Sequence, residues 1–469
     1  MKCCLAVDIG ASGGRHIAGW MEEGILHTQE VYRFAHGAEK KNGHLCWDAE
    51  ALVQHVIAGM RAAHEQGFEP VSVGIDTWAV DFVLLNDRNQ MVGDLVAYRD
   101  ARTLGMDVRL EKMLTFEELY RITGIAKQPF NTVYQMMAVL DEHPEYRERA
   151  RDFLMVPEYL AFRLCGKKRH EWTNISTTAL ADAETKRWSA RVIDAAGLPW
   201  HWFDTPVAFP GEQLGSLLPE ICAQVGFDAD VVLAATHDTG SAYAAVPARD
   251  DEAAFLSSGT WSLLGTELDV PCATAESRLA GFTNEGGYAG TTRYLKNIMG
   301  MWMLQEIRRE TQDAYSYAEM ADMAAQSAYA YWIDAADNRF LAPVSMIDEV
   351  NAALAEAGAP QPETLADLLR AVTVGLAVCY RDAIEQMSRL TGKCFTSINI
   401  VGGGSQNHTL NALTASLSGL PVYTGPTEGT AIGNLVVQMI AKEEIASLQE
   451  ARDIIKRSFD IKEVRADEL

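Results

Sequence analysis

Short apolar runs, each ended by a turn of glycine, aspartate or other small residues, alternate along the chain with stretches of helical period. Cys3 to Ile9 is one such run. It breaks at Gly10-Ala11-Ser12-Gly13-Gly14 and resumes from His16 to Trp20, which predicts a β-hairpin. Val71 to Ile75 predicts a strand that runs into Asp76-Thr77-Trp78-Ala79-Val80-Asp81 before a further run, Phe82 to Leu85. Val231 to Ala235 predicts another, followed by Thr236-His237-Asp238-Thr239-Gly240-Ser241 and an alanine-rich helix start. Helical stretches lie between, at Thr115 to Thr123 and Tyr134 to Leu140. The second half repeats this grammar. Ala253 to Leu256 enters Ser257-Ser258-Gly259-Thr260 and leaves through Trp261 to Gly265, a second hairpin with a small-residue tip. Ser397 to Val401 meets Gly402-Gly403-Gly404 and a helical run from His408 to Leu417; Pro421 to Tyr423 is a short strand, and Ala431 to Ile440 a helix. Leu365 to Leu390 reads as a long amphipathic helix stopped by Gly392. The alternation predicts an α/β chain of two related halves, 1–245 and 246–469, parted where Pro247-Ala248-Arg249-Asp250-Asp251 interrupts the pattern.

Composition narrows the function. The 469 residues carry 40 Lys+Arg against 64 Asp+Glu, a net charge of −24. At roughly 150 residues per domain, that length accommodates about three domains or two large ones. A surface this acidic repels a phosphate backbone, so nucleic-acid binding is not expected; the one basic cluster, Lys167-Lys168-Arg169, reads as an exposed turn. The apolar start is cut by Asp8 before a signal peptide could form, and no run approaches the roughly 20 apolar residues of a membrane span. Without a signal peptide the final Ala466-Asp467-Glu468-Leu469 is not an address. Eight cysteines, with no CxxC pair, fit reduced thiols in a cytoplasmic enzyme, and the sequons at Asn174 and Asn407 are then expected to be unmodified.

Several turns carry candidate chemistry. In Asp8 to Arg15, small residues let successive N–H groups converge on an anion, Ser12 adds a hydroxyl and Arg15 a cation. Asp8, at a strand end, is placed to hold a hydrated Mg²⁺ shared with nucleotide phosphates. The plain alternative is a hairpin turn with a capping aspartate. It is not a Walker A loop, since Gly-Lys-Ser/Thr is missing. The second tip, Ser257 to Thr260, favours the phosphate reading, because two such loops can hold a polyphosphate. Gly402 to Gly404 permits close approach of a flat ligand, with Asn407 nearby, or merely a sharp turn. Asp238 is the sharpest catalytic candidate: a carboxylate between a buried strand and a helix suits a general base, and equally a helix N-cap, as does Ser241. Asp76 to Asp81 sets two carboxylates beside an indole, either a sugar-binding fork or a packed tryptophan with solvated turn carboxylates. His237 is a sugar contact or a core histidine. No HExxH motif or zinc-type cluster and no GxSxG elbow is present.

With these residues in view, the chain resembles the FGGY carbohydrate kinases. The matching stretches are VDIGASGGR (Val7 to Arg15), GIDTWAVDFVLL (Gly74 to Leu85), YRDART (Tyr98 to Thr103), PFNTVYQ (Pro129 to Gln135), THDTGSA (Thr236 to Ala242), LSSGTWSL (Leu256 to Leu263), TNEGG (Thr283 to Gly287), LKNIMG (Leu295 to Gly300) and VGGGSQN (Val401 to Asn407). DTWAVDF, THDTGSA and LKNIMG resemble the members that act on L-rhamnulose. The resemblance implies two ribonuclease H-like domains of the actin and hexokinase type flanking a catalytic cleft. It implies sugar and first phosphate loop on 1–245, nucleotide on 246–469, and ATP-dependent phosphorylation of L-rhamnulose at O1 with Mg²⁺. It makes Asp238 the general base and assigns Ala11, Ser12, Gly13, Gly14, Arg15, Thr260, Gln305 and Gly403 to ATP. Ala79, His237, Asp238, Thr239 and Asn297 are assigned to the sugar, and Asp8 to the metal, through water. Two departures stand out: Ala79 replaces a frequent glycine, and no literal Phe-Gly-Gly-Tyr run occurs. Alternatives are a kinase for another ketose, such as L-fuculose or L-xylulose, and a non-catalytic sugar-sensing ATP-binding scaffold.

Overall fold

The computed structural model describes residues 1–465, so the C-terminal Ala466–Leu469 lies outside the described residues. The chain divides into two compact units. Unit 1 comprises Met1–Ala245, Glu267–Tyr294 and Thr430–Ser458; unit 2 comprises Val246–Thr266, Leu295–Gly429 and the segment from Phe459.

Unit 1 is built on a six-stranded sheet, its strands being β1 (Lys2–Gly10), β2 (Gly13–Glu22), β3 (Ile25–Ala35), β4 (Glu69–Thr77), β5 (Gln213–Ser216) and β6 (Asp230–Val232). Their order is β5-β6-β4-β1-β2-β3. β1, β2 and β3 form an antiparallel meander, β4 and β6 run parallel to β1, and β5 returns antiparallel at the edge. Alternate apolar residues of β1 and β4 (Leu5, Val7, Ile9, Val73, Ile75) meet Leu52, Val53, Val56 and Met60 of the helix Ala49–Glu65 in one core. Asp48 caps that helix by accepting from Ala51 N at 2.9 Å. The expected strand Val231 to Ala235 is shorter than its apolar run. Its ladder ends at Val232, and the chain rejoins β4 only through the bridge Thr77–His237. The strand Phe82–Leu85 pairs with Asp152–Met155 and opens a second core around Phe153, Tyr134 and Trp202.

Unit 2 repeats the topology. Its sheet contains β7 (Ala253–Ser258), β8 (Trp261–Leu268), β9 (Thr292–Met299), β10 (Ser397–Val401), β11 (Val422–Thr424) and β12 (Lys462–Val464), ordered β9-β8-β7-β10-β11-β12, with a seventh strand, Thr283–Gly286, beside β9. β7 and β8 form the second hairpin, β10 and β11 run parallel to β7, and β12 closes the edge antiparallel. The helix Leu365–Thr391 stops at Gly392 as expected, at φ +76°, and starts on a capping box formed by Thr364 and Asp367.

The turn chemistry thus matches the elements it bounds, and one packing constraint reaches the site. Gly433, in the helix Gly429–Ala441, lies against the backbone of the helix Asp238–Ala244, and a Cβ at Gly433 would overlap the Ser241 carbonyl oxygen. Backbone cannot yield as a side-chain tip can. Gly433→Ala is expected to cost about 3 kcal/mol, the upper end of ordinary overpacking, in urea unfolding followed by circular dichroism.

Candidate active site

Parallel strands that start in register end in register: β1 and β4 each carry a carboxylate near their ends, and a third follows a few residues beyond β6, at the start of a helix. Asp8 on β1 stands opposite Asp76 on β4, and Thr77 N donates to Thr236 O at 2.9 Å, which sets His237 and Asp238 beside them. Asp76 is fully buried. Asn434 Nδ2 donates to its Oδ2, while Oδ1 has no protein partner. Burial, reinforced by the charges of Asp8 and Asp238, pushes the Asp76 carboxyl well above the usual carboxylate range. Asp8 Oδ2 accepts from Arg15 Nε at 3.0 Å and Nη2 at 2.8 Å, so the loop's cation sits on the strand-end carboxylate.

Asp238 keeps 31% of its side chain exposed. Its Oδ1 accepts from Thr239 N at 2.6 Å and Thr239 Oγ1 at 3.1 Å, and among the described residues no protein donor takes Oδ2. Loss of water around it raises its carboxyl; Asp8 adds to the effect and His237 opposes it. Neither capping alternative holds: His237 occupies the N-cap position, Asp238 is the first helical residue, and Ser241 Oγ donates back to Ala235 O at 2.7 Å.

The segment carrying Asp238 hangs on a residue that the sequence reading missed. Glu171, fully buried, accepts from Thr236 N at 3.0 Å, Thr236 Oγ1 at 2.8 Å and Thr173 N at 2.8 Å, as well as from Thr173 Oγ1. His237 N donates in turn to Thr173 Oγ1 at 3.3 Å. The imidazole of His237 meets Glu285 and Arg293, two further residues not anticipated. A glutamate inside TNEGG was the available signal for Glu285; nothing local marked Glu171 or Arg293.

The turn Asp76 to Asp81 resolves differently from either alternative. Neither carboxylate is solvated. Asp81 Oδ2 accepts from Trp47 Nε1 at 2.7 Å, Trp78 Nε1 at 2.9 Å and Tyr98 N at 3.1 Å, and Oδ1 from Gln135 Nε2 at 3.1 Å. Asp81 is therefore spent on the scaffold and offers no fork to a sugar. Between them Val80 adopts φ +68°, an outlier for a β-branched residue, with Asp81 N donating to Ala79 O at 3.0 Å across it. Thr132 Oγ1 and Gln135 Nε2 bind the Val80 carbonyl at 2.8 and 3.2 Å and hold this turn, which leaves Ala79 half-buried at its apex. The Trp78 ring stacks on His36, whose Nε2 lies 2.7 Å from Gly10 O, so the same cluster braces the first hairpin. In that hairpin Gly10 pairs with Gly13, leaving Ala11 and Ser12 as the tip. A Cβ on Gly13 would lie 2.7 Å from Phe34 O, and one on Gly14 would overlap the Phe34 ring; both glycines are demanded by packing on β3.

Unit 2 brings Thr260, Gln305 and Gly403 to one region. Met301 N and Trp302 N, at the start of the helix that carries Gln305, donate to Gly259 O at 3.1 Å and Thr260 O at 3.0 Å. Gly402, at φ +88°, and Gly404 press on Ser258, which a Cβ at either would strike. Around Gly403 the space is open, so two of the three glycines answer to packing and the third does not. Asn407 is a buried N-cap whose Oδ1 accepts from Leu410 N at 3.0 Å, so its carbonyl oxygen is taken by the helix. Asn297 lies half-buried on β9.

Among the described residues no three His, Cys, Asp or Glu side chains form a ready cage for a metal. Asp8, whose side chain keeps 10% exposure and which among the described residues is bonded to Arg15 through Oδ2 alone, nonetheless fits a hydrated Mg²⁺, which takes one or two carboxylates and keeps its waters. Other expectations are settled simply. Lys168 and Arg169 are half-buried and paired with Asp152 and Glu212, not an open basic turn. All eight cysteines are free thiols, and both sequon asparagines are buried.

The repeated topology, meander then parallel strands, is the α/β architecture of the actin and hexokinase type. Among solved structures it resembles a xylulose kinase from Lactobacillus acidophilus (TM-score 0.82, 15% identity, 99% of this chain and 94% of that one). It also resembles a Plasmodium falciparum glycerol kinase with ADP (TM-score 0.79, 14% identity, 98% and 94%). The models of the N-terminal and C-terminal domains of the FGGY family of carbohydrate kinases match residues 3–244 and 254–442, and the chain belongs to that family. Curated relatives include a rhamnulokinase of Oceanobacillus iheyensis, 44% identical over 98% of this chain and 97% of that protein. A Bacillus subtilis rhamnulokinase is 39% identical over 97% and 94%.

A carboxyl that binds its proton more tightly folded than unfolded weakens the fold as pH rises from its unfolded toward its folded value. Asp76→Asn is therefore expected to stabilise unit 1 at pH 7 by about 1–2 kcal/mol, with a smaller gain near pH 4, in thermal melts without ligand.

Proposed function

We propose that the protein transfers the γ-phosphoryl group of ATP to O1 of L-rhamnulose, giving L-rhamnulose 1-phosphate and ADP. The observation that carries this is identity of about two residues in five, over nearly the whole chain, with several proteins named rhamnulokinase. On this reading residues 1–245 bind the sugar and the first phosphate edge, and residues 246–469 the nucleotide.

Asp238 is the general base. Its Oδ2, with no protein donor and a carboxyl raised by burial, accepts the proton of the O1 hydroxyl as O1 bonds to the γ-phosphorus. The bond from that phosphorus to the bridging oxygen breaks, and ADP leaves with the electron pair. Thr239 holds Oδ1 and so aims Oδ2; Ala79, His237, Thr239 and Asn297 contact the ketose. The tip N–H groups of Ala11 to Gly14, with Thr260, Gln305 and Gly403, bind the nucleotide, and Arg15 keeps Asp8 oriented. Asp8 would hold Mg²⁺ through water, and the metal would supply neutralisation of charge on the phosphate oxygens. Eight free thiols fit the cytoplasm, and the net charge of −24 fits small-molecule partners in place of nucleic acid.

The test is ADP release with Mg·ATP and L-rhamnulose, L-fuculose or L-xylulose. L-Rhamnulose is expected to be preferred, and Asp238→Asn to lose about 10³-fold in turnover with ATP binding retained. Preference for another ketose would redirect attention to Ala79, and turnover by the Asn variant would remove Asp238 as base. Because the base must be ionised, kcat/KM is expected to fall on the acid side at a pH above the ordinary aspartate value of about 3.9. An acid limb at or below that value would contradict the raised carboxyl.

A further inference from the structure

His237 lies between the proposed base and a buried ion pair. Its Nε2 is 3.4 Å from Asp238 Oδ1; its Nδ1 is 3.1 Å from Arg293 Nη2 and 3.3 Å from Glu285 Oε2. Arg293 is fully buried and cannot turn away. Its Nε donates to Gly286 O at 2.7 Å, its Nη1 lies 3.1 Å from Glu285 Oε2, and its guanidinium carbon is 5.8 Å from the centre of the Tyr243 ring. Although burial works to raise the Glu285 carboxyl, the charge of the adjacent Arg293 guanidinium outweighs it and holds Glu285 below the usual carboxylate range, ionised to balance Arg293.

A guanidinium only donates. For Arg293 Nη2 to bond Nδ1, that nitrogen must present its lone pair, which puts the imidazole proton on Nε2. The opposite tautomer would set an N–H against an N–H and leave Nη2 with only the Thr173 carbonyl at 3.4 Å, without gaining Glu285 Oε2, which lies 3.3 Å from Nδ1 but outside hydrogen-bond geometry. We infer that Arg293, itself balanced by Glu285, is a positioning residue that fixes His237 in its Nε2–H tautomer, so that His237 can only donate to the sugar. The chemistry follows from polarity. At 3.4 Å the Nε2–H is not consumed by Asp238, so it remains for a ketose oxygen. A hydroxyl that accepts from His237 has its own proton free to point elsewhere, and Asp238 Oδ2 is the neighbouring acceptor. Arg293 thus selects, through His237, the hydroxyl orientation in which proton transfer to Asp238 is possible. This role rests on Asp238 being the base, whereas the tautomer does not.

Long-range proton–nitrogen NMR of the ¹⁵N-histidine-labelled full chain tests the tautomer directly, with His237→Gln assigning the signal. The expected spectrum has Nδ1 bare and Nε2 protonated; a protonated Nδ1 would overturn the inference. In Arg293→Met the ketose KM is expected to rise at least tenfold while the ATP KM stays within twofold, and Arg293→Lys, which keeps a donor, is expected to recover most of that loss. A folded Met variant with unchanged ketose KM would overturn it as well. If the wild type turns over no ketose, the functional reading fails, and the spectrum still decides the tautomer.

Discussion

Like charges converging at the ends of parallel strands are the constraint around which this molecule is arranged. The register of β1 with β4, and the bridge from Thr77 to His237, bring Asp8, Asp76 and Asp238 to neighbouring positions where water is scarce. Each carboxylate is managed differently. Asp8 takes the Arg15 guanidinium, Asp76 binds its proton tightly with Asn434 on its other oxygen, and Asp238 keeps partial exposure with Thr239 on one side only. Removal of charge repulsion by structure alone is incomplete, since Asp76 Oδ1 is left without a partner. Carboxylates brought together where burial perturbs them mark a candidate for a functional site.

The supports of that site are buried polar side chains with every donor aimed. Glu171 ties the segment before Asp238 to its own with four hydrogen bonds, two from Thr236 and two from Thr173. Asp81 gathers two indoles, a backbone N–H and an amide, and thereby holds the strained Val80 turn. Such networks are rigid when complete, and completeness is what lets Val80 persist at φ +68°. Close backbone approach does the remaining work. Gly433 admits Ser241, and Gly402 and Gly404 admit Ser258, so that in each unit glycine sets how closely loop and helix backbones pack.

Much of this was legible along the chain. Hydrophobic runs of period two and helical stretches closed by caps and glycines foretold both hairpins, the helices at Leu365 and His408, and the strand Ser397–Val401, because those signals are local. The strand β3 and the helix Ala49–Glu65 were passed over: β3 mixes exposed and buried residues without clean alternation, and the Asp48 cap that marks the start of the helix went unused. The same holds for the site. Asp8, Asp238 and the small-residue tips announce themselves as chemistry at turns, whereas Glu171 and Arg293 are single charged residues in ordinary sequence.

What the amino-acid sequence determined by itself was therefore the alternation of elements, the two hairpins with their glycine tips, the strand-end aspartates and the family they spell. Tertiary structure alone decided which charges are solvated and which are paired. Asp81, read as half of a sugar fork or as a solvated turn carboxylate, became a structural anchor. Asn407 became a cap, and the glycines at 13, 14, 402 and 404 became requirements of packing. The physical reason is that a side chain's proton affinity and its available lone pairs depend on neighbours hundreds of residues away, as with Asn434 on Asp76, and no local pattern encodes them.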